Sequence, residues 1–102
     1  MPRRGEIWLV DLGMAQKTRP AVILNVPYED TDRVVITVVA HTTALRGSSF
    51  EIAVPAPFLR EGAFAIQSVT SIPAKHALRR LGTFTTAQLA PLENGVRHWL
   101  GL

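Results

Sequence analysis

The sequence contains no cysteine. Disulfides, thiol nucleophiles and cysteine-ligated zinc are therefore excluded, and the chain suits a reducing, cytoplasmic compartment. Its three histidines, at 41, 76 and 98, are too scattered for a histidine metal site. No apolar run approaches the ~20 residues of a membrane helix. Glu6 and Asp11 interrupt any signal-peptide core near the start. There is no Gly-x-Ser-x-Gly elbow and no phosphate-cradling glycine loop. The acidic residues show no pairing suited to a metal or a glycosidase site. Internal repeats and low-complexity linkers are absent too.

What remains is 102 residues, 47% apolar and 19% charged. That is enough for one globular domain over residues 1–102 and too little for a second core. Eleven basic side chains stand against eight acidic ones, a net charge of +3. Nine of the eleven are Arg, the better fork for phosphate. The bias sits in the second half: residues 52–102 carry five basic and two acidic side chains, residues 1–51 six of each. Such a balance suits a polyanionic partner, although many small domains with no such partner are as basic.

The hydropathy pattern is mostly that of strands. Residues 7–12 and 21–26 are apolar runs, and residues 34–39 are β-branched at every position. Phe50, Ile52 and Val54 alternate with Glu51 and Ala53, a strand with one wet face. Shorter strands are expected over 63–67 and 69–72, and a further one over 78–84. Then the period changes. Leu89, Leu92, Val96, Trp99 and Leu100 share one helical face, behind a Thr85/Gln88 capping box. Pro91 is expected to be tolerated only near the first turns and to bend the helix, and Gly95 to weaken it. A mainly β chain with a C-terminal helix predicts a small, strongly bent antiparallel barrel of SH3-like type.

Two segments could carry chemistry. Lys17-Thr18-Arg19-Pro20 precedes one buried run, and Ala40-His41-Thr42-Thr43 follows another. An Arg at a strand mouth, with hydroxyls from a neighbouring strand end, could hold a phosphate through a planar guanidinium fork. Each residue also has a plain reading: Arg19 as a salt-bridged surface side chain, Thr42 as a turn residue, His41 as a packing residue, Trp8 and Trp99 as anchors of a core or interface.

At these segments the sequence resembles a known family. Arg4-Gly5-Glu6-Ile7-Trp8-Leu9-Val10-Asp11-Leu12, followed by Lys17-Thr18-Arg19-Pro20-Ala21-Val22-Ile23-Leu24, is similar to the MazF/PemK/Kid toxin endoribonucleases. Val38-Val39-Ala40-His41-Thr42-Thr43, the Phe50 strand, the Gln67 region and Leu81-Gly82-Thr83-Phe84 follow in the family's order. The resemblance implies the CcdB/MazF-type β-barrel and metal-independent, sequence-selective cleavage of single-stranded RNA without a cofactor. It implies a homodimer, and a cognate antitoxin whose acidic tail covers the RNA groove. The family's catalytic Arg falls on Arg19 and its catalytic Thr on Thr42. Thr43, His41, Gln67, Lys17 and Arg46 are expected to support them or to bind RNA. The loops 13–17, 28–32 and 43–49 are expected to select bases. One departure stands out: Kid-like members carry an Arg and an Asp where this chain has Ala65 and Gln67, so a carboxylate base is missing there. Two other readings compete. The same barrel could poison gyrase, as CcdB does, or bind RNA with little catalysis.

Overall fold

The computed structural model describes residues 1–13 and 17–102. Seven strands and one helix follow in order: β1 (Glu6–Asp11), β2 (Thr18–Ile23), β3 (Val35–Thr42), β4 (Glu51–Ile52), β5 (Ala63–Ala65), β6 (Thr70–Pro73), β7 (Ala77–Thr83) and α1 (Thr86–Leu100). Every pairing is antiparallel.

The central strands β2 and β3 are buried on both faces. Val22 and Val39 join one apolar cluster with Ile7, Phe64 and Leu92, while Ala21, Ile23 and Val38 join a second with Val10 and Ile36. Burial on both sides is why these segments read as continuous apolar runs rather than alternating ones. Helix α1 covers the first cluster with Leu89 and Leu92.

The hydrogen-bonded path runs β4-β5-β3-β2-β1-β7, with β6 also on β3. This path does not close into a ring. It curls, however. β6 lies on one side of β3 and β7 on the far side of β1, yet a three-residue 3-10 turn, Ala74–His76, joins them. So short a link forces the sheet β6-β3-β2-β1-β7 to bend round on itself, and the second apolar cluster fills the bend. The expected bent barrel is thus present with an unbonded seam.

β3 runs three residues beyond its expected end, so Thr42 is its last residue instead of a loop residue. Its outer edge changes partner on the way. Residues 35–38 pair with β6, and His41 and Thr42 pair with β5. Between them the Ser68 hydroxyl accepts the Ala40 N–H at 3.0 Å, standing in for a ladder carbonyl. The 3-10 turn Ile66–Ser68 supplies that serine and splits the fifth expected strand.

β2 starts at Thr18, earlier than expected, and runs through Pro20. Pairing with β3 begins only at Ala21, so Pro20 lies where β2 has a single neighbour. The strand expected from Phe50 to Val54 shrinks to Glu51–Ile52, although the Ile66 N–H still bonds the Phe50 carbonyl at 2.9 Å.

The helix starts as its sequence predicts. Thr85 Oγ1 accepts the Gln88 N–H at 3.2 Å, and Gln88 Oε1 accepts the Thr85 N–H at 2.9 Å. Pro91 sits in the second turn, where it removes one intrahelical N–H. Gly95 has a packing reason. A Cβ there would lie 2.6 Å from Ile52 Cδ1 and 3.1 Å from Ile66 Cγ1, so a larger residue would have to displace both side chains. Among the described residues no helix is long and apolar enough to cross a membrane.

Candidate active site

Arg19 and Thr42 are far apart in sequence and adjacent in space for a reason of register. β2 pairs with β3 through Ala21 and Ala40. Continued two residues further, that register sets Arg19 opposite Thr42, on one face of the sheet. The Arg19 Nη1 donates to Thr42 Oγ1 at 3.4 Å, a long bond. Thr42 Oγ1 also accepts the Ala44 N–H at 3.1 Å. With both acceptor positions used, the hydroxyl proton is left to donate.

The pair lies in an open cleft of about 420 Å³. Arg46 and Gln67 line it too, so four of the seven residues singled out in the sequence converge here. Three do not line it. Lys17 is exposed and closes the turn before β2, its N–H bonding the Gly13 carbonyl at 2.7 Å. Residues 14–16, the middle of that expected base-selecting loop, lie outside the described residues. Thr43 is exposed beside the cleft but outside its lining. His41 is buried on the opposite side of β3, edge-on to Phe64 with ring centroids 5.1 Å apart. Burial pushes its pKa below the ordinary histidine value. Tyr28, from the expected loop 28–32, lines a separate cavity with Met1 and Arg4.

The sequence reading missed Glu51. It was taken as the wet side of a strand, yet its carboxylate lines the cleft and organises the loop 43–49. The Arg46 N–H donates to Oε2 at 2.9 Å and Oε1 at 3.1 Å, and the Ser48 N–H to Oε1 at 2.9 Å. The Arg46 amide bond is the main force holding the Glu51 pKa below its usual value, with smaller help from the amides of Ser48 and Gly47 and the Arg46 charge. Gly47 turns the loop at a φ of +78°. The available signal was a Gly-Ser-Ser turn with a carboxylate two residues after it, a pattern that lets one side chain gather loop amides. Phe50 was missed as well. It lines the cleft, stacks on His98 at 5.4 Å and meets the edge of Trp99 at 5.2 Å, linking the site to α1.

The family model for PemK-like, MazF-like toxins of type II toxin–antitoxin systems matches residues 3–100. The chain belongs to this family.

Solved structures agree with the fold of this MazF-like chain. It aligns with a mycobacterial endoribonuclease bound to its cognate antitoxin at a TM-score of 0.82 and 20% identity, covering 100% of this chain and 97% of that one. A MazE–MazF complex from Deinococcus radiodurans gives 0.80 at 19% identity, covering 99% and 96%. The toxin MazF-mt6 from Mycobacterium tuberculosis gives 0.77 at 22% identity, covering 95% and 97%. In this MazF-like chain, Ala65 and Gln67 both line the cleft, and the carboxylate beside them is Glu51.

Proposed function

We propose that this toxin is a metal-independent endoribonuclease that cuts single-stranded RNA at selected sequences. The observation that carries the reading is the Arg19–Thr42 pair, held by sheet register at the side of an open cleft. The scissile phosphate would take the guanidinium fork of Arg19 on two oxygens and the Thr42 hydroxyl on one. The ribose 2′-oxygen attacks phosphorus, the 2′-O–P bond forms and the P–O5′ bond breaks. The products are a 2′,3′-cyclic phosphate and a 5′-hydroxyl end. One proton leaves the 2′-hydroxyl to water, and water returns one to the 5′-oxygen. Only RNA carries the nucleophile.

Arg19 would act by charge, stabilising the pentacoordinate dianion. A guanidinium with a pKa above ~12 is a poor proton carrier at neutral pH. Among the described residues the lining offers no better one: both Glu51 oxygens accept loop amides, and His41 faces away. Arg46 and Gln67 would bind flanking phosphate and base, with Thr43 and Lys17 at the margins.

A cognate antitoxin with an acidic tail suits a cleft bearing Arg19 and Arg46. A homodimer suits the exposed Trp99 and Leu100, 42% and 54% accessible at the end of α1. Leu92 is fully buried in the chain's own core and is not available for an interface.

Purified toxin is incubated with a long, weakly structured RNA in EDTA, and the cuts are mapped by primer extension. Discrete cuts with 5′-hydroxyl ends are expected. Arg19→Ala is expected to lower kcat/KM by about 10²–10³ or more. Intact RNA, or an undiminished Arg19→Ala variant, would overturn the assignment. Trapped cleaved plasmid in a gyrase reaction would instead identify a gyrase poison.

A further inference from the structure

Behind the end of β3 lies a second cavity, of about 380 Å³, that the chemistry above does not use. Leu45, Val54, Ala56 and Leu59 are among its apolar walls, and the exposed Arg60 and Glu61 also line it. The one buried polar side chain in it is His41, 5% exposed.

That imidazole is unusually placed. No described residue hydrogen-bonds either ring nitrogen, and among the described residues no sealed polar atom lacks a partner. The nitrogens therefore open on the cavity rather than into the core. The β5 approach fixes the ring. A Cβ on Gly62 would stand 2.9 Å from His41 Cε1 and 2.2 Å from the Thr42 carbonyl oxygen, so the glycine backbone is pressed against both.

A neutral imidazole presents one donor and one acceptor. An apolar side chain entering the cavity would satisfy the walls and leave both nitrogens unpaired. A flat heterocycle with a donor or an acceptor on its edge satisfies the walls and one ring nitrogen together, and leaves the other nitrogen to water. We propose that the cavity is a base-specific subsite, taking one nucleobase of the RNA with its faces against Leu45 and Leu59 and its edge hydrogen-bonded to His41. The proposal rests on the ribonuclease reading. His41 and Thr42 are consecutive residues whose side chains point to opposite sides of the strand. RNA bent over the strand end and residues 43–45 would therefore leave its phosphate with Thr42 and turn a neighbouring base to the other side. His41 would then read a base while Arg19 and Thr42 handle the phosphate. Burial helps by keeping the ring uncharged at neutral pH.

The test is an NMR titration of the full chain. His41 ring and Thr42 signals are followed as a short, randomised 2′-O-methyl oligonucleotide pool is added; lacking the nucleophilic hydroxyl, it cannot be cut. Saturable shifts of His41 together with Thr42 are expected. Movement of Thr42 without His41, or of neither, overturns the subsite. A shift of His41 with an acidic, leucine-bearing peptide but not with the oligonucleotide also overturns it and assigns the cavity to a protein. Because the probe is uncleavable, the titration separates this proposal from the ribonuclease reading. If wild type binds and shifts His41 but cuts no RNA, only the ribonuclease reading falls.

Cleavage of a randomised RNA pool supplies the second arm. His41→Phe is expected to lose about tenfold discrimination or more at one position beside the cut. An unchanged preference at every position in the folded variant overturns the subsite, and the wild-type titration decides it where that variant does not fold.

Discussion

Thr42 Oγ1 accepts from both Arg19 and the Ala44 N–H, so its proton is directed at whatever enters the cleft. The proposed chemistry needs a hydroxyl there and makes no use of the methyl group. Thr42→Ser is expected to keep most of the RNA cleavage rate, while Thr42→Val loses about 10²–10³ in kcat with little change in stability. Single-turnover cleavage beside a thermal melt separates the two effects. Glu51 acts one step back, through the loop it gathers. In Glu51→Gln one oxygen still accepts, and the other becomes an amide that cannot. The expected result is a KM raised by about three- to tenfold with a smaller change in kcat, and faster hydrogen exchange at the Arg46 and Ser48 amides. That Arg19 and Thr42 share one cleft was legible in the sequence, because each stands at the end of a recognisable apolar strand. Glu51 was not, because its partners are backbone amides, which no side-chain pattern announces.

The elements were legible where their cause is local. The capping box of α1 needs only Thr85 and Gln88, and it formed as expected. Strand ends set by tertiary pairing were not legible. β3 continues to Thr42 because β5 arrives beside it, and β4 pairs only at Glu51 and Ile52, opposite Ala65 and Phe64 of the short β5. Gly95 shows the same division. Propensity alone marks it as a weak point in a helix, whereas its surroundings make it the contact surface for Ile52 and Ile66. Gly95→Ala should therefore reverse the usual gain of alanine in a helix. It is expected to cost about 1–3 kcal/mol in urea unfolding, and an unchanged or higher midpoint would contradict the packing.

The whole molecule couples its site to pH through burial. His41 has its pKa lowered by desolvation, so the folded chain binds fewer protons than the unfolded chain near and below the ordinary histidine range. The stability this group contributes is present above about pH 6.5 and is lost as pH falls below it. Urea midpoints are expected to drop between about pH 7.5 and 5.5, and the drop should be smaller in His41→Phe. The bent barrel could be foreseen from its many short strands and terminal helix, but the seam between β6 and β7 could not, since it depends on the distance that a three-residue turn can span. The same curl has a temporal meaning. Its last strand closes on its first: Glu6 pairs with Thr83, 77 positions later in the chain. At synthesis rates of ~5–20 residues per second, β1 waits about 4–15 s for its partner. The sheet that carries the cleft therefore cannot close its curl until Thr83 has been made, so its first strand stands with one edge unpaired through most of synthesis.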